Sequence, residues 1–182
     1  MTAGLKLGLI AAAMTGFLVF MLVSHETARA TGTEIEMSVE GYDPRDIFLG
    51  HYAEIRTPLS RIDLASVEGD DTFEPYQRVF VTLEIGADGL ARPVAVHRAH
   101  PGSGLVAEGR VSWVDEALVT RFNIERYYAD RDEALALQAR LRGGIDGEFA
   151  APVRVILSLT GSGQLMIKGF EIDGERRIDR LW

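Results

Sequence analysis

Residues 78–97, RVFVTLEIGADGLARPVAVH, decide the fold class. Val79, Val81, Leu83 and Ile85 fall on one side of an extended chain. Arg78, Phe80, Thr82 and Glu84 fall on the other, which is the period of two that a strand requires. Gly86-Ala87-Asp88-Gly89 then reads as a hairpin turn, and residues 90–97 as a returning strand.

The same pattern recurs near the C-terminus. Val153, Val155, Leu157 and Leu159 alternate, Gly161-Ser162-Gly163 turns the chain, and QLMIKGFEI (164–172) follows. Its apolar phase runs Leu165, Ile167, then Phe170, Ile172, so the slip at Lys168-Gly169 predicts a β-bulge. Residues 34–39, 50–56, 105–114 and 117–128 are further strand candidates. In the last of these, Leu118, Phe122, Ile124 and Tyr128 share a face opposite Arg121, Asn123, Glu125 and Tyr127. One segment, 130–142, reads as helix: Asp130, Asp132 and Glu133 come first, Arg140 and Arg142 last, and Gly143-Gly144 follows, as the helix dipole and C-terminal cap favour. The expected fold is mainly β (α+β), a barrel- or sandwich-like domain with one helix near 130–142.

The 182 residues leave room for one domain with a real core. Net charge is -8, and with Lys6 the one charge in the first 24 residues, the remainder carries 18 basic against 27 acidic side chains. That balance argues against a nucleic-acid surface and against docking on anionic lipid through basic patches. Cysteine is absent, which removes disulfides, thiolate catalysis and Cys-ligated zinc.

Residues 7–23, LGLIAAAMTGFLVFMLV, carry no charge and as a helix span about 25 Å, near the lower limit for crossing a bilayer. Two readings compete. Ala28-Arg29-Ala30 resembles an A-x-A signal-peptide cleavage site. Against that, the apolar run exceeds the usual signal-peptide core, and His25, Glu26 and Arg29 make a polar approach to the supposed cut. A signal anchor over residues 1–24, a linker over 25–33 and an exterior domain over 34–182 is therefore the favoured division. Lys6 and the α-amino group place the N-terminus in the cytoplasm by the positive-inside rule. In a bacterium this describes a single-pass inner-membrane protein with a periplasmic domain. Gly4, Gly8, Ala12 and Gly16 recur every fourth residue. Such a stripe allows close approach of another transmembrane helix, although chance register of common small residues accounts for it equally well.

Catalytic patterns are weak. His97 and His100 have a spacing two metal ligands could use, but no third ligand is adjacent, and a solvated loop pair is the simpler reading. Ser103 and Ser162 lie between glycines in turns, and a serine–lysine dyad would have to use Lys168. The Arg121-Asn123-Glu125-Tyr127 row could line a polar groove or be an ordinary sheet face with cross-strand ion pairs. No catalytic residue, metal set or cofactor is assigned.

The stretch GYDPRDIFLGHYAEI, 41–55, reads as a corner leading into a strand. Asp43-Pro44 starts a turn and Gly50 permits a bend. Asp43-Pro44-Arg45-Asp46 followed by Gly50, Tyr52 and Ile55 resembles the signature of the GDYXXLXY family, a D-P-R-D-like corner and then G-D-Y-x-x-L-x-Y. His51 stands in place of its aspartate and Thr57 in place of its last tyrosine. Glu108-Gly109-Arg110-Val111 resembles the family's K-G-R-V segment, and residues 122–128, FNIERYY, its Y-G-I-E-R-Y-F. The closing run to Ile172-Asp173-Gly174 also fits, whereas the V-P-E-G expected after Tyr128 is replaced by the helix-like segment. The resemblance implies a membrane-anchored bacterial protein of uncharacterised function, whose relatives are often encoded beside multi-pass membrane proteins. With the face of 117–128, these motifs give the candidate binding positions Asp43, Arg45, Asp46, Gly50, His51, Tyr52, Arg110, Arg121, Glu125 and Tyr127.

The expected function is accessory to, or binding of, a multi-pass inner-membrane protein, with Gly8, Ala12 and Gly16 packing in the membrane. The alternatives are an envelope hydrolase using His51, Asp46 and Glu125, and a small-ligand binder along the Arg121 row.

Overall fold

The computed structural model describes residues 3–39, 52–128 and 153–179. The helix expected at 130–142 and the corner at 41–51 lie outside them.

A 29-residue helix, α1 (Ala3–Thr31), begins the chain. At 1.5 Å per residue it is about 43 Å long, and its mean hydropathy of 2.3 makes it long and apolar enough to cross a membrane. None of its residues is buried, and Leu7 and Phe20 are 70% and 68% exposed, so its apolar surface finds no cover in the domain. Residues 25–33, expected as a linker, are instead helical through Thr31 and pass straight into β1 (Thr33–Ser38).

The strands that follow are β2 (Tyr52–Glu54), β3 (Arg61–Ile62), β4 (Glu68–Gly69), β5 (Arg78–Ile85), β6 (Ala91–His97) and β7 (Leu105–Val114). After them come β8 (Leu118–Arg121), β9 (Arg126–Tyr128), β10 (Arg154–Leu159), β11 (Leu165–Ile172) and β12 (Glu175–Ile178). They form a six-stranded sheet, β3-β8-β7-β5-β6-β4, a four-stranded sheet, β1-β10-β11-β12, and the pair β2-β9. Pairing is antiparallel except between β4 and β6. The sheet curls as a half-barrel, and a bridge between Glu36 and Leu90 joins the edges of the two larger sheets. At the tip of the β10-β11 hairpin, Gly163 takes a φ of +87° that glycine adopts without strain, and its carbonyl accepts from the Glu108 amide at 2.7 Å.

One apolar cluster holds both large sheets. Val79, Val81 and Leu83 of β5 meet Val155, Leu157 and Leu159 of β10 in it, with Ile35 and Met37 of β1. The alternation along β5 misassigns two positions. Ile85 is 48% exposed at the strand end, whereas Phe80, on the opposite face, is buried with its ring edge-on to His100 at 5.5 Å. The other face of β10 is covered as well: Ile156 and Ser158 are fully buried, which is why that strand is apolar almost throughout.

The bulge expected in β11 is present. Ile156 pairs with Gly169 and Leu157 with Ile167, leaving Lys168 as the extra residue. A bulge disrupts the ladder locally, and here Arg29 of α1 docks on its carbonyls, sharing Lys168 O with the Asp179 amide, which donates to it at 2.8 Å. The arginine's Nε donates to Ile167 O at 3.1 Å, and one terminal nitrogen donates to Lys168 O at 3.1 Å and to Asp179 O at 2.5 Å. The Glu26 carboxylate lies 3.4 Å from the other terminal nitrogen. With 11% of its side chain exposed, Arg29 is a largely covered cation, though short of full burial, held by carbonyls and one carboxylate. The next turn closes on β10: Ser158 Oγ donates to Ala28 O at 3.4 Å, and a side chain at Gly32 would overlap Ser158 and the Leu159 carbonyl. Helix and domain are one unit.

A ladder of charges also crosses the four-stranded sheet. Glu34 receives Lys168 Nζ at 2.7 Å and Arg176 at 2.5 Å, and Glu36 receives Arg154 at 3.3 Å. The hydrogen bond from Lys168, then that from Arg176, holds the Glu34 carboxyl below its ordinary value of 4.5. A carboxylate depressed in the folded state stabilises fully above the unfolded value and loses that contribution as pH falls through the folded one.

Two outcomes follow. Arg29→Ala should destabilise the domain by about 2–3 kcal/mol, since carbonyls lose charge-assisted donors, and Arg29→Lys by less, as read from denaturant unfolding in detergent by circular dichroism. Glu34→Gln should lower the melting temperature at neutral pH, with the difference from wild type shrinking as pH drops below 4.5. A gap that stayed constant into acid would contradict the charge assignment.

Candidate ligand groove beside the foot of the helix

Strand register brings the groove's cations together. Arg78 of β5 lies opposite Arg110 of β7, and Arg110 opposite Arg121 of β8. Directly paired residues point to the same face, and neighbouring strands are about 4.8 Å apart, so three guanidinium stems stand side by side across three strands. Like charges placed opposite one another cost stability. Glu108, 3.6 Å from Arg78, relieves one end of the row. Arg110 donates to the Tyr76 carbonyl at 3.4 Å, and among the described residues no carboxylate pairs with Arg110 or Arg121.

Two irregular positions shape the walls. Tyr76 enters β5 with a φ of +66° and is 78% exposed, and Trp113, just past the bulge in β7, is 51% exposed. Across from them the single strand expected over 117–128 is broken into β8 and β9. The break has a local cause: Asn123 adopts a left-handed φ of +62°, and Glu125 Oε1 accepts the Phe122 amide at 2.6 Å. Asparagine tolerates that region better than most residues, and a carboxylate closing a turn on a backbone amide is strong.

The resulting groove has two lobes. The upper, of about 550 Å³, is lined by Tyr76, Arg110, Trp113, Arg121 and Ser162 among others. The lower, of about 480 Å³, reaches His25 and Arg29 of the helix with Tyr127, Met166 and Asp179. Glu108, Asn123 and Gln164 line both, so the two lobes adjoin.

The expected binding positions therefore part company. Arg110 and Arg121 share the upper lobe. Glu125 is occupied in the turn. Tyr127 is a core residue, 7% exposed, its ring edge-on to Phe170 at 4.7 Å and its hydroxyl donating to Asp179 at 3.0 Å. Tyr52 pairs through its backbone with Tyr128. Asp43, Arg45, Asp46, Gly50 and His51 lie outside the described residues. Sequence reading missed Arg78, Tyr76, Trp113, Asn123 as a turn former, and Arg29. Only the bulge at Lys168-Gly169 hinted that some donor must arrive there.

The groove offers binding chemistry and no assembled nucleophile. Ser162 Oγ shares a hydrogen bond with Thr160 Oγ1 at 3.0 Å, and Lys168 is paired with Glu34, so the serine–lysine dyad is not formed. His100 Nδ1 accepts the Gly102 amide at 2.9 Å. Among the described residues no three His, Asp or Glu side chains converge as metal ligands. The guanidinium groups suit an oxyanion, the amides of Asn123 and Gln164 can orient it, and the aromatic walls suit a partly apolar neighbour.

No curated protein and no solved structure matches the chain. A family model described as GDYXXLXY protein matches residues 14–170, from within α1 through most of β11. The chain belongs to the GDYXXLXY family.

Proposed function

We propose that this is a single-pass, membrane-anchored envelope protein, N-terminus in the cytoplasm and domain in the bacterial periplasm, that acts as an accessory to a multi-pass inner-membrane protein. The observation that carries the reading is the junction: an unburied apolar helix runs without a linker into the sheet and is locked there by Arg29. Cleavage after Ala30 would remove Arg29 and strip the Ile167, Lys168 and Asp179 carbonyls of their shared donor. That cost favours retention of the helix as an anchor.

Orientation rests on Lys6 at the helix start and the acidic exterior. The partner reading rests on family resemblance and on the small-residue positions, since Gly4, Gly8 and Gly16 each have open space where a neighbouring helix could approach. The hydrolase alternative loses support because Glu125, one of its three residues, is committed to the turn.

A photocrosslinker at Gly8, Ala12 or Gly16 in native membranes should capture a defined multi-pass protein, and intact mass should show residues 1–30 retained. Mature protein beginning near Thr31 in osmotic-shock fluid would remove the anchor. Crosslinks to lipid alone from all three positions would remove the partner.

A further inference from the structure

We infer that the two-lobed groove binds the phosphate-bearing headgroup of an anionic phospholipid from the leaflet on which the domain stands, with Arg110 and Arg121 as the phosphate ligands. This rests on the anchor reading. Two observations meet in it: a pair of arginines brought together by strand register with no carboxylate partner among the described residues, and a cavity around that pair that adjoins a second one at the foot of the apolar helix.

The depth fits. The apolar run ends at Val23, so His25 stands about 3 Å and Arg29 about 9 Å further along the helix axis. The headgroup layer of one leaflet is about 5–8 Å thick. The lower lobe, lined by both residues, thus begins within the headgroup layer and ends just beyond it, and the adjoining upper lobe holds Arg110 and Arg121. Because the helix enters the sheet without a linker, the domain has no slack by which to leave that level.

The chemistry fits as well. Guanidinium groups hold phosphate oxygens through paired N–H donors, which ammonium groups do not match. Of the carboxylates that line the groove, Glu108 lies 3.6 Å from Arg78, and Asp179 lines the lower lobe and not the upper one that holds Arg110 and Arg121. The acidic bulk composition had argued against lipid docking through basic patches. The present site is one pair of aligned arginines and needs no basic patch.

The test uses full-length protein placed in nanodiscs of phosphatidylcholine with or without phosphatidylglycerol, followed by native mass spectrometry of the lipid retained. Wild type should retain phosphatidylglycerol, and Arg110→Gln with Arg121→Gln should retain about tenfold less or lower still. The charge-matched pair Arg92→Gln with Arg98→Gln, which removes cations already paired with Asp88 and Asp70, should retain as much as wild type. Melting of the Arg110/Arg121 variant in phosphatidylcholine discs should match or exceed wild type, since like-charge repulsion is relieved. A variant that melts lower is replaced by Arg110→Lys with Arg121→Lys, which keeps the charge, loses the paired donors and should still retain less lipid.

Equal retention by wild type and arginine variants overturns the site, as does equal loss in the charge-matched pair. Stabilisation of detergent-solubilised protein by inorganic phosphate, dependent on these arginines but with no lipid preference in discs, overturns the lipid source. Disc incorporation does not depend on the arginines and is scored first. Protein that incorporates without lipid preference overturns the groove alone, and protein that fails to incorporate overturns the anchor and the groove together.

Discussion

Arg29 is the constraint on which the helix–sheet junction depends. A guanidinium can be buried only where acceptors surround it, and the acceptors here are backbone carbonyls exposed by the irregularity in β11. Each feature therefore requires the other. The extra residue at Lys168 lets the strand's carbonyls reach the arginine, and without the arginine Ile167 O and Asp179 O would lose its donors while Lys168 O kept only the Asp179 amide. Glu26 one turn earlier and the tight contact at Gly32 hold the helix at the angle this exchange needs. An apolar helix that could have hung from a flexible tether is instead a rigid extension of the sheet.

That rigidity gives the groove its location. Its lower lobe takes part of its wall from the helix foot, and its upper lobe is built by Tyr76 ahead of β5, by β7 and by the end of β8, with the hairpin tip carrying Ser162 and Gln164. The hairpin is held against β7 by the hydrogen bond from Glu108 to Gly163. Cations, amides and aromatics thus come from five separated parts of the chain, and their juxtaposition depends on both sheets sharing one core. An acidic domain can carry a local site for an anion because register acts on individual residues, while net charge averages over all of them.

Much of the β architecture is legible from periodicity. The bounds of β5 and β7 coincide with the expected segments, β11 begins one residue later than expected, and the phase slip marks the bulge at the correct residue. Short strands were not legible: β3 and β4 have two residues each, too few for any period, and β12 is exposed throughout and carries no apolar signal. The break between β8 and β9 was hidden because its cause is a backbone conformation at Asn123 and a side chain folding back from Glu125. Tyr127 was placed on a polar face for the same reason, since the turn resets the alternation that carried Arg121 outward. Of the site, Arg110 and Arg121 were legible as candidates, but their adjacency was not.

The amino-acid sequence alone determined the apolar helix, the strand-rich domain and the family signature, because hydrophobic period and short motifs are properties of neighbouring residues. Tertiary structure decided that the helix is locked to the sheet, that three arginines stand abreast, and that the cavity holding Arg110 and Arg121 adjoins the one at the foot of the apolar helix. Those facts depend on which strands pair and in what register. Such pairings join residues far apart in the chain, and no local pattern records them.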